Sequence, residues 1–166
     1  MFTQANNKNK FIFSDAATLT LIKKRKKKSI GPFLFGTDGN HFDKIIISNN
    51  KENNLEFHMS GSDVYLFTLN KIPKLIKKYL NIIKDNYDNF FIFHQASKLI
   101  LESLLDKLDI KKEKFIIDLK YGNTTSSSIP IALKRAMERK TIKKNQRIII
   151  CGFGVGLAWG VTSIIL

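Results

Sequence analysis

The chain has 166 residues, the length of one domain, and its 43% apolar content is enough to bury a core, which excludes wholesale disorder. A lone cysteine, Cys151, excludes an internal disulfide and a cysteine-based metal site. The formal charge of +14 invites an acidic partner, yet only four of the 28 basic residues are Arg, the side chain of bidentate phosphate and base recognition. Most of the excess therefore reads as a solvated Lys-rich surface, and no nucleic-acid partner is expected.

In chain order, residues 1–10, MFTQANNKNK, form a polar lead-in without the apolar centre of a signal peptide, which points to the cytoplasm. Residues 11–22, FIFSDAATLTLI, carry strand-forming side chains broken by Ser-Asp-Ala-Ala. KKRKKK at 23–28 cannot be core. Because SIGPFLFG follows, the region predicts an N-terminal β-hairpin with the basic run as its connection. Residues 38–55 are polar and predict a long loop around the short strand KIIIS. PKLIKKYLNIIKD predicts a helix opening at Pro73, with Ile72, Leu75, Ile76, Tyr79, Leu80 and Ile83 on one face and Lys74, Lys77 and Lys78 on the other.

NFFIF predicts a strand ending at His94, and QASKLILESLLDKLDI a second helix. KFIIDL is a further strand, and YGNTTSSS a loop whose serines are expected to cap a third helix, with Pro130 in its first turn. QRIIICG then leads as a strand into a glycine-rich loop, and WGVTSIIL leads out of it. Strand and helix alternate through the second half, the pattern of an α/β layered fold with a mixed sheet and packed helices.

CGFGVGLAWG, residues 151–160, holds four glycines, and three explanations compete. A dinucleotide phosphate needs G-x-G-x-x-G before a helix. Here the spacing is G-x-G-x-G, and the residues after Gly160 are strand-like. A membrane helix would use the 19 uncharged residues from Ile148 to Leu166 and two G-x-x-x-G spacings. A substrate loop would use backbone N–H groups beside His94 and Asn123, which also stand at predicted strand ends. Alone, each of these two is more often structural than catalytic.

HQAS at 94–97, YGNTTSSSIPIAL at 121–133 and GFGVGLAWG at 152–160, in this order, resemble β-ketoacyl-acyl-carrier-protein synthase III of the thiolase superfamily. SDAATLTLI, GTDG and MSGSDVYLFTL resemble further segments of that family. The resemblance covers residues 11–166 and only the C-terminal half of such enzymes. It implies a thiolase-like α/β fold, no membrane span, and an acyltransferase of fatty-acid or related acyl-chain synthesis.

The implied reaction is decarboxylative Claisen condensation of an acyl thioester with a malonyl thioester, carried by acyl carrier protein or coenzyme A, with no bound cofactor or metal. His94 and Asn123 are then the catalytic pair that holds the malonyl carbonyl. Gly154, Val155 and Gly156 contact substrate and supply an oxyanion-hole N–H. The family pattern's Asn and Arg after His-Gln-Ala are missing: Ser97, Lys98 and Leu99 stand there, leaving Lys98 as the basic candidate for the carrier arm. The nucleophilic cysteine belongs to the other half, and Cys151 does not match it. The implied partners are that missing half or a second copy. The alternative is a non-catalytic module of the same fold that binds an acidic partner such as acyl carrier protein.

Overall fold

In the computed structural model, residues 12–24, 26–84 and 88–166 are described. The polar lead-in expected over 1–10, Arg25 of the basic run and residues 85–87 lie outside them. A short strand β1 (Leu34–Thr37) is followed by a 3₁₀ turn, Gly39–Lys44. Strands β2 (Ile45–Asn49) and β3 (Leu55–Met59) pair as an antiparallel ribbon. Helix α1 (Gly61–Ile83), β4 (Phe90–Phe93), α2 (Lys98–Leu108) and β5 (Phe115–Ile116) come next. Helix α3 (Ser128–Glu138) and the long strands β6 (Arg147–Gly154) and β7 (Ala158–Ile165) complete the chain.

The main sheet has the order β1-β7-β6-β4-β5. β4 runs parallel to β5 and β6, while β6–β7 and β7–β1 are antiparallel. All four residues of β4 are buried, as a strand covered on both faces requires. Phe91 and Phe93 join Ile76, Tyr79 and Leu101 in the core beneath α1 and α2. Phe90 and Ile92 meet Ala132 and Ala136 of α3 on the other face. Each fully buried large apolar side chain contributes roughly 1.5–3 kcal/mol, and the two small alanines let α3 lie close to the sheet.

The expected N-terminal hairpin does not form. Residues 14–22 carry no strand, and Phe13 makes a single parallel bridge to Asn123. The run after the basic segment pairs instead with β7, because β7 offers an open antiparallel edge that the 14–22 segment never reaches. Aromatic side chains settle that register: Phe35 lies opposite Gly160, and Trp159 opposite Gly36, so each ring covers a glycine on the neighbouring strand. A Cβ on Gly36 would run into the Trp159 ring, whereas one on Gly39 meets nothing within 4 Å. Gly36→Ala is expected to lower stability by about 1–3 kcal/mol through overpacking, and Gly39→Ala to be near neutral, in urea unfolding.

The antiparallel ribbon β2–β3 begins inside the stretch expected to be mostly loop and runs past its end. Helix α1 begins twelve residues before Pro73, the expected start, and contains that proline. The missing N–H and ring clash cost about 3 kcal/mol in a helix interior. Burial of Phe67, Ile72, Pro73 and Ile76 along one face outweighs that. Strand β5 is shorter than KFIIDL predicts, because the Gln95 side chain takes over its backbone partners: Gln95 Nε2 donates to Ile116 O at 3.3 Å, and Asp118 N donates to Gln95 Oε1 at 2.8 Å. The 19 uncharged residues at the end of the chain are β6 and β7, and among the described residues no helix is long and apolar enough to cross a membrane.

Candidate active site

The parallel strands β4 and β6 end side by side, and His94 and Gly152 follow on from the pair Phe93–Cys151. The ladder continues one step further, with His94 N donating to Cys151 O at 2.8 Å. Asn123 lies in the loop after β5. Side chains at the carboxyl ends of neighbouring parallel strands therefore converge, the usual place for a site in such sheets. Here they border a cavity of about 590 Å³, within the range of small-molecule sites, walled mainly by apolar side chains such as Phe57, Val64, Ile100 and Phe153.

His94 sits against the edge of the Phe153 ring, with centroids 5.6 Å apart, and its Nδ1 is 2.8 Å from Ser128 Oγ. Burial lowers its pKa from 6.5 to about 4, against a weaker opposing pull from a hydrogen bond to the Thr125 backbone. The imidazole is therefore neutral at pH 7 and can offer a ring N–H rather than a positive charge. Desolvation is the main cause, and α2 opens only at Lys98.

Asn123 is held at both ends of its peptide unit. Its N–H donates to Ile12 O and its carbonyl accepts from Ser14 N, each at 3.0 Å. Its side-chain Oδ1 accepts Thr125 N at 2.9 Å. With the oxygen so occupied, the amide NH₂ is the group left to donate toward the cavity. The segment around Phe13, expected as hairpin, thus fastens a candidate site residue.

The glycines divide. Gly152 and Gly154 border the cavity, and a Cβ on either would meet nothing within 4 Å. Val155 also borders it and is 68% exposed. Gly156 is not part of the cavity wall. Its φ of 136° and a backbone nitrogen 2.9 Å from any added Cβ make it a turn glycine. Lys98 points into solvent and is 3.8 Å from Glu102, away from the cavity wall. Cys151 is fully buried in the core under α1 and α2, and burial pushes its thiol pKa up, so it stays protonated. Among the described residues no group of three or more His, Cys, Asp or Glu is placed to hold a metal ion.

Two supporting residues were not read from the sequence. Gln95 staples β4 to β5 as described above and also donates to Phe93 O at 2.6 Å. Asp118, buried, accepts from Arg135 Nε at 2.6 Å and lies 3.2 Å from Arg139, which ties the β5 end to α3. The serines expected to cap α3 do other work. Ser127, the N-cap, makes no side-chain cap bond, and its Oγ reaches Ala16 O at 3.3 Å, while Ser128 contacts His94. Ser97 does cap α2, accepting Ile100 N at 3.3 Å.

A family model described as 3-oxoacyl-[acyl-carrier-protein (ACP)] synthase III C terminal matches residues 83–165. The chain is 34% identical over 165 residues to a beta-ketoacyl-[acyl-carrier-protein] synthase III of Porphyra umbilicalis, covering 90% of this chain and 51% of the relative. It is 36% identical over 147 residues to the Prochlorococcus marinus (strain MIT 9215) protein of that name, covering 81% and 42%. A crystal structure of a 3-oxoacyl-(acyl-carrier-protein) synthase III superposes with a TM-score of 0.77 at 27% identity, over 88% of this chain and 50% of the other. That of Pseudomonas aeruginosa PAO1 gives 0.77 at 24% identity, over 86% and 46%, and so speaks for the fold. The chain spans about half the length of the curated relatives it matches. With a thiolase-like fold and the C-terminal family pattern over half its residues, this chain belongs to the 3-oxoacyl-acyl-carrier-protein synthase III family and corresponds to the C-terminal half of its members.

Proposed function

We propose that this chain supplies the His/Asn half of a decarboxylative condensing site, in an acyltransferase of fatty-acid or related acyl-chain synthesis. The observation that carries the reading is the convergence of His94, Asn123 and the glycine-rich end of β6 on one apolar cavity. In the first half-reaction an acyl thioester passes its acyl group to a cysteine thiolate supplied by the cysteine-bearing half, from another segment or another chain, and the carrier thiol leaves. In the second, a malonyl thioester bound in the cavity loses carbon dioxide. The pair of electrons from the broken C–C bond moves toward the thioester oxygen, where the His94 ring N–H and the Asn123 NH₂ donate to it. The enolate carbon then attacks the acyl carbonyl, and the cysteine thiolate leaves. A backbone N–H near Val155 is one oxyanion donor, and the cysteine's own N–H is the other.

The carrier is acyl carrier protein or coenzyme A, with Lys98 available at the surface for its acidic groups. The apolar side chains of Leu19, Leu21, Ile22 and Phe35, all more than 70% exposed, suit a face covered by the cysteine-bearing half or by a second copy. A second reading, a non-catalytic module that holds an acidic partner such as acyl carrier protein, is favoured by the burial of the only thiol away from the cavity. The test is to assay the chain with and without a separately produced cysteine-bearing half. Acyl transfer, carbon dioxide release and condensation are expected only with both. Turnover by the chain alone, abolished in Cys151→Ala, overturns the proposal. Failure of the pair to react while the chain still binds the carrier supports the second reading.

A further inference from the structure

The contact between His94 and Ser128 fixes more than a distance. Ser128 is the first residue of α3, 3% exposed, and its side chain takes no part in capping that helix. Its Oγ already accepts the backbone N–H of Gln95 at 3.3 Å. The remaining hydroxyl proton needs an acceptor, and the polar atom placed to receive it is His94 Nδ1, 2.8 Å away. Were Nδ1 protonated instead, Oγ would face two N–H donors and the buried O–H would be left without an acceptor. An unsatisfied buried hydroxyl costs about 1–3 kcal/mol, enough to decide between tautomers that differ little in water. The ring's other neighbouring acceptor is the Thr125 backbone, whose carbonyl already accepts the N–H of Ser128.

We infer that Ser128 is a positioning residue that holds His94 in the Nε2–H tautomer and so presents a ring N–H donor to the cavity. That tautomer is a property of the ring, and its value for catalysis rests on the condensing function proposed above. Gln95 has a second part in it, since its N–H orients the serine hydroxyl toward the imidazole. HQAS and the last serine of NTTSSS thus act as one device: the residue after the histidine sets the serine, and the serine sets the histidine.

The experiment reads the ring directly. Long-range ¹H–¹⁵N correlations of the histidine side chains at pH 7, with His94 assigned through His94→Gln, should show an unprotonated Nδ1 and a protonated Nε2. Ser128→Ala should shift the ring toward the Nδ1–H form, and Ser128→Thr, which keeps the hydroxyl, should restore it. Combined with the cysteine-bearing half, Ser128→Ala should lose at least about tenfold in decarboxylation with acyl loading retained, since a wrong histidine tautomer costs up to ~10⁴ in a catalytic triad. Ser128→Thr should recover most of that loss. An Nδ1–H ring in the unsubstituted chain, or an Nε2–H ring that persists in Ser128→Ala, overturns the inference and leaves the function proposal standing. A tautomer change that leaves decarboxylation unaltered upholds the inference and overturns the role proposed for His94.

Discussion

Alanine at His94 or at Asn123 is expected to cut malonyl decarboxylation by about 10²–10³, the usual loss when one donor is removed from a developing oxyanion. Acyl loading of the cysteine should remain measurable, because that step draws on the thiolate and the backbone donors. The distinction follows from where the two side chains stand. Both border the apolar cavity, and in both the donor end is the end left over: Asn123 Oδ1 is taken by Thr125 N, and the imidazole is neutral because it is buried. Neutral donors in a dry site are strongest when charge builds on the acceptor, which happens as carbon dioxide leaves. Asn123→Asp should be at least as damaging as alanine, since it sets a carboxylate where an enolate forms. Labelled acyl transfer and labelled carbon dioxide release, measured side by side on the chain combined with its cysteine-bearing half, separate the steps. Wild-type decarboxylation in both alanine variants would remove the assigned roles and favour a binding module.

The elements that lead to the site are legible because their patterns are local. FFIF and RIII are short apolar runs that read as buried strands, and both end at the cavity. The resemblance in HQAS, NTTSSS and GFGVG then links three loops that no periodicity connects. What the sequence hides depends on partners far along the chain. FIFSDAATLTLI has the composition of a strand, but a strand also needs an edge, and among its described residues only Phe13 finds one. Pro73 reads as a helix start because proline favours first turns, yet the buried side chains before it hold the helix through it. The serine run reads as a cap by composition, whereas Ser128 is turned toward an imidazole 34 residues away.

The glycine loop shows the same division in one stretch. Its four glycines look alike in the sequence and answer different demands in the fold. Gly160 leaves room for the Phe35 ring, which comes within 2.9 Å of where its Cβ would stand. Gly156 makes a turn that an L side chain rarely adopts. Only Gly152 and Gly154 are open on the cavity. Packing therefore excludes side chains at the far end of the loop, whereas Gly152 and Gly154 leave open space on the cavity.

Gly152→Val is expected to abolish condensation at little cost in stability. Phe93 pairs with Cys151, and the next residues along the two parallel strands are His94 and Gly152. Phe90 and Ile92 face α3, so His94, two residues further, faces the same side, as its contact with Ser128 of α3 requires. Ile148 packs on that face too, which puts a side chain at position 152 there as well, next to the imidazole. Nothing stands within 4 Å of an added Cβ, so valine fits the strand, where β-branched residues are favoured, and the fold should hold within about 1 kcal/mol. The two methyl groups would instead occupy the space in which a thioester carbonyl must approach His94. Displacing a reacting group by ~1 Å can cost about 10²-fold, and loss of that order or more is expected in carbon dioxide release, with Gly152→Ala between valine and wild type. Urea unfolding run beside the decarboxylation assay separates the two effects. A valine variant that is stable and fully active would mean that the substrate does not pass beside His94, and the cavity would lose its assignment as the malonyl site.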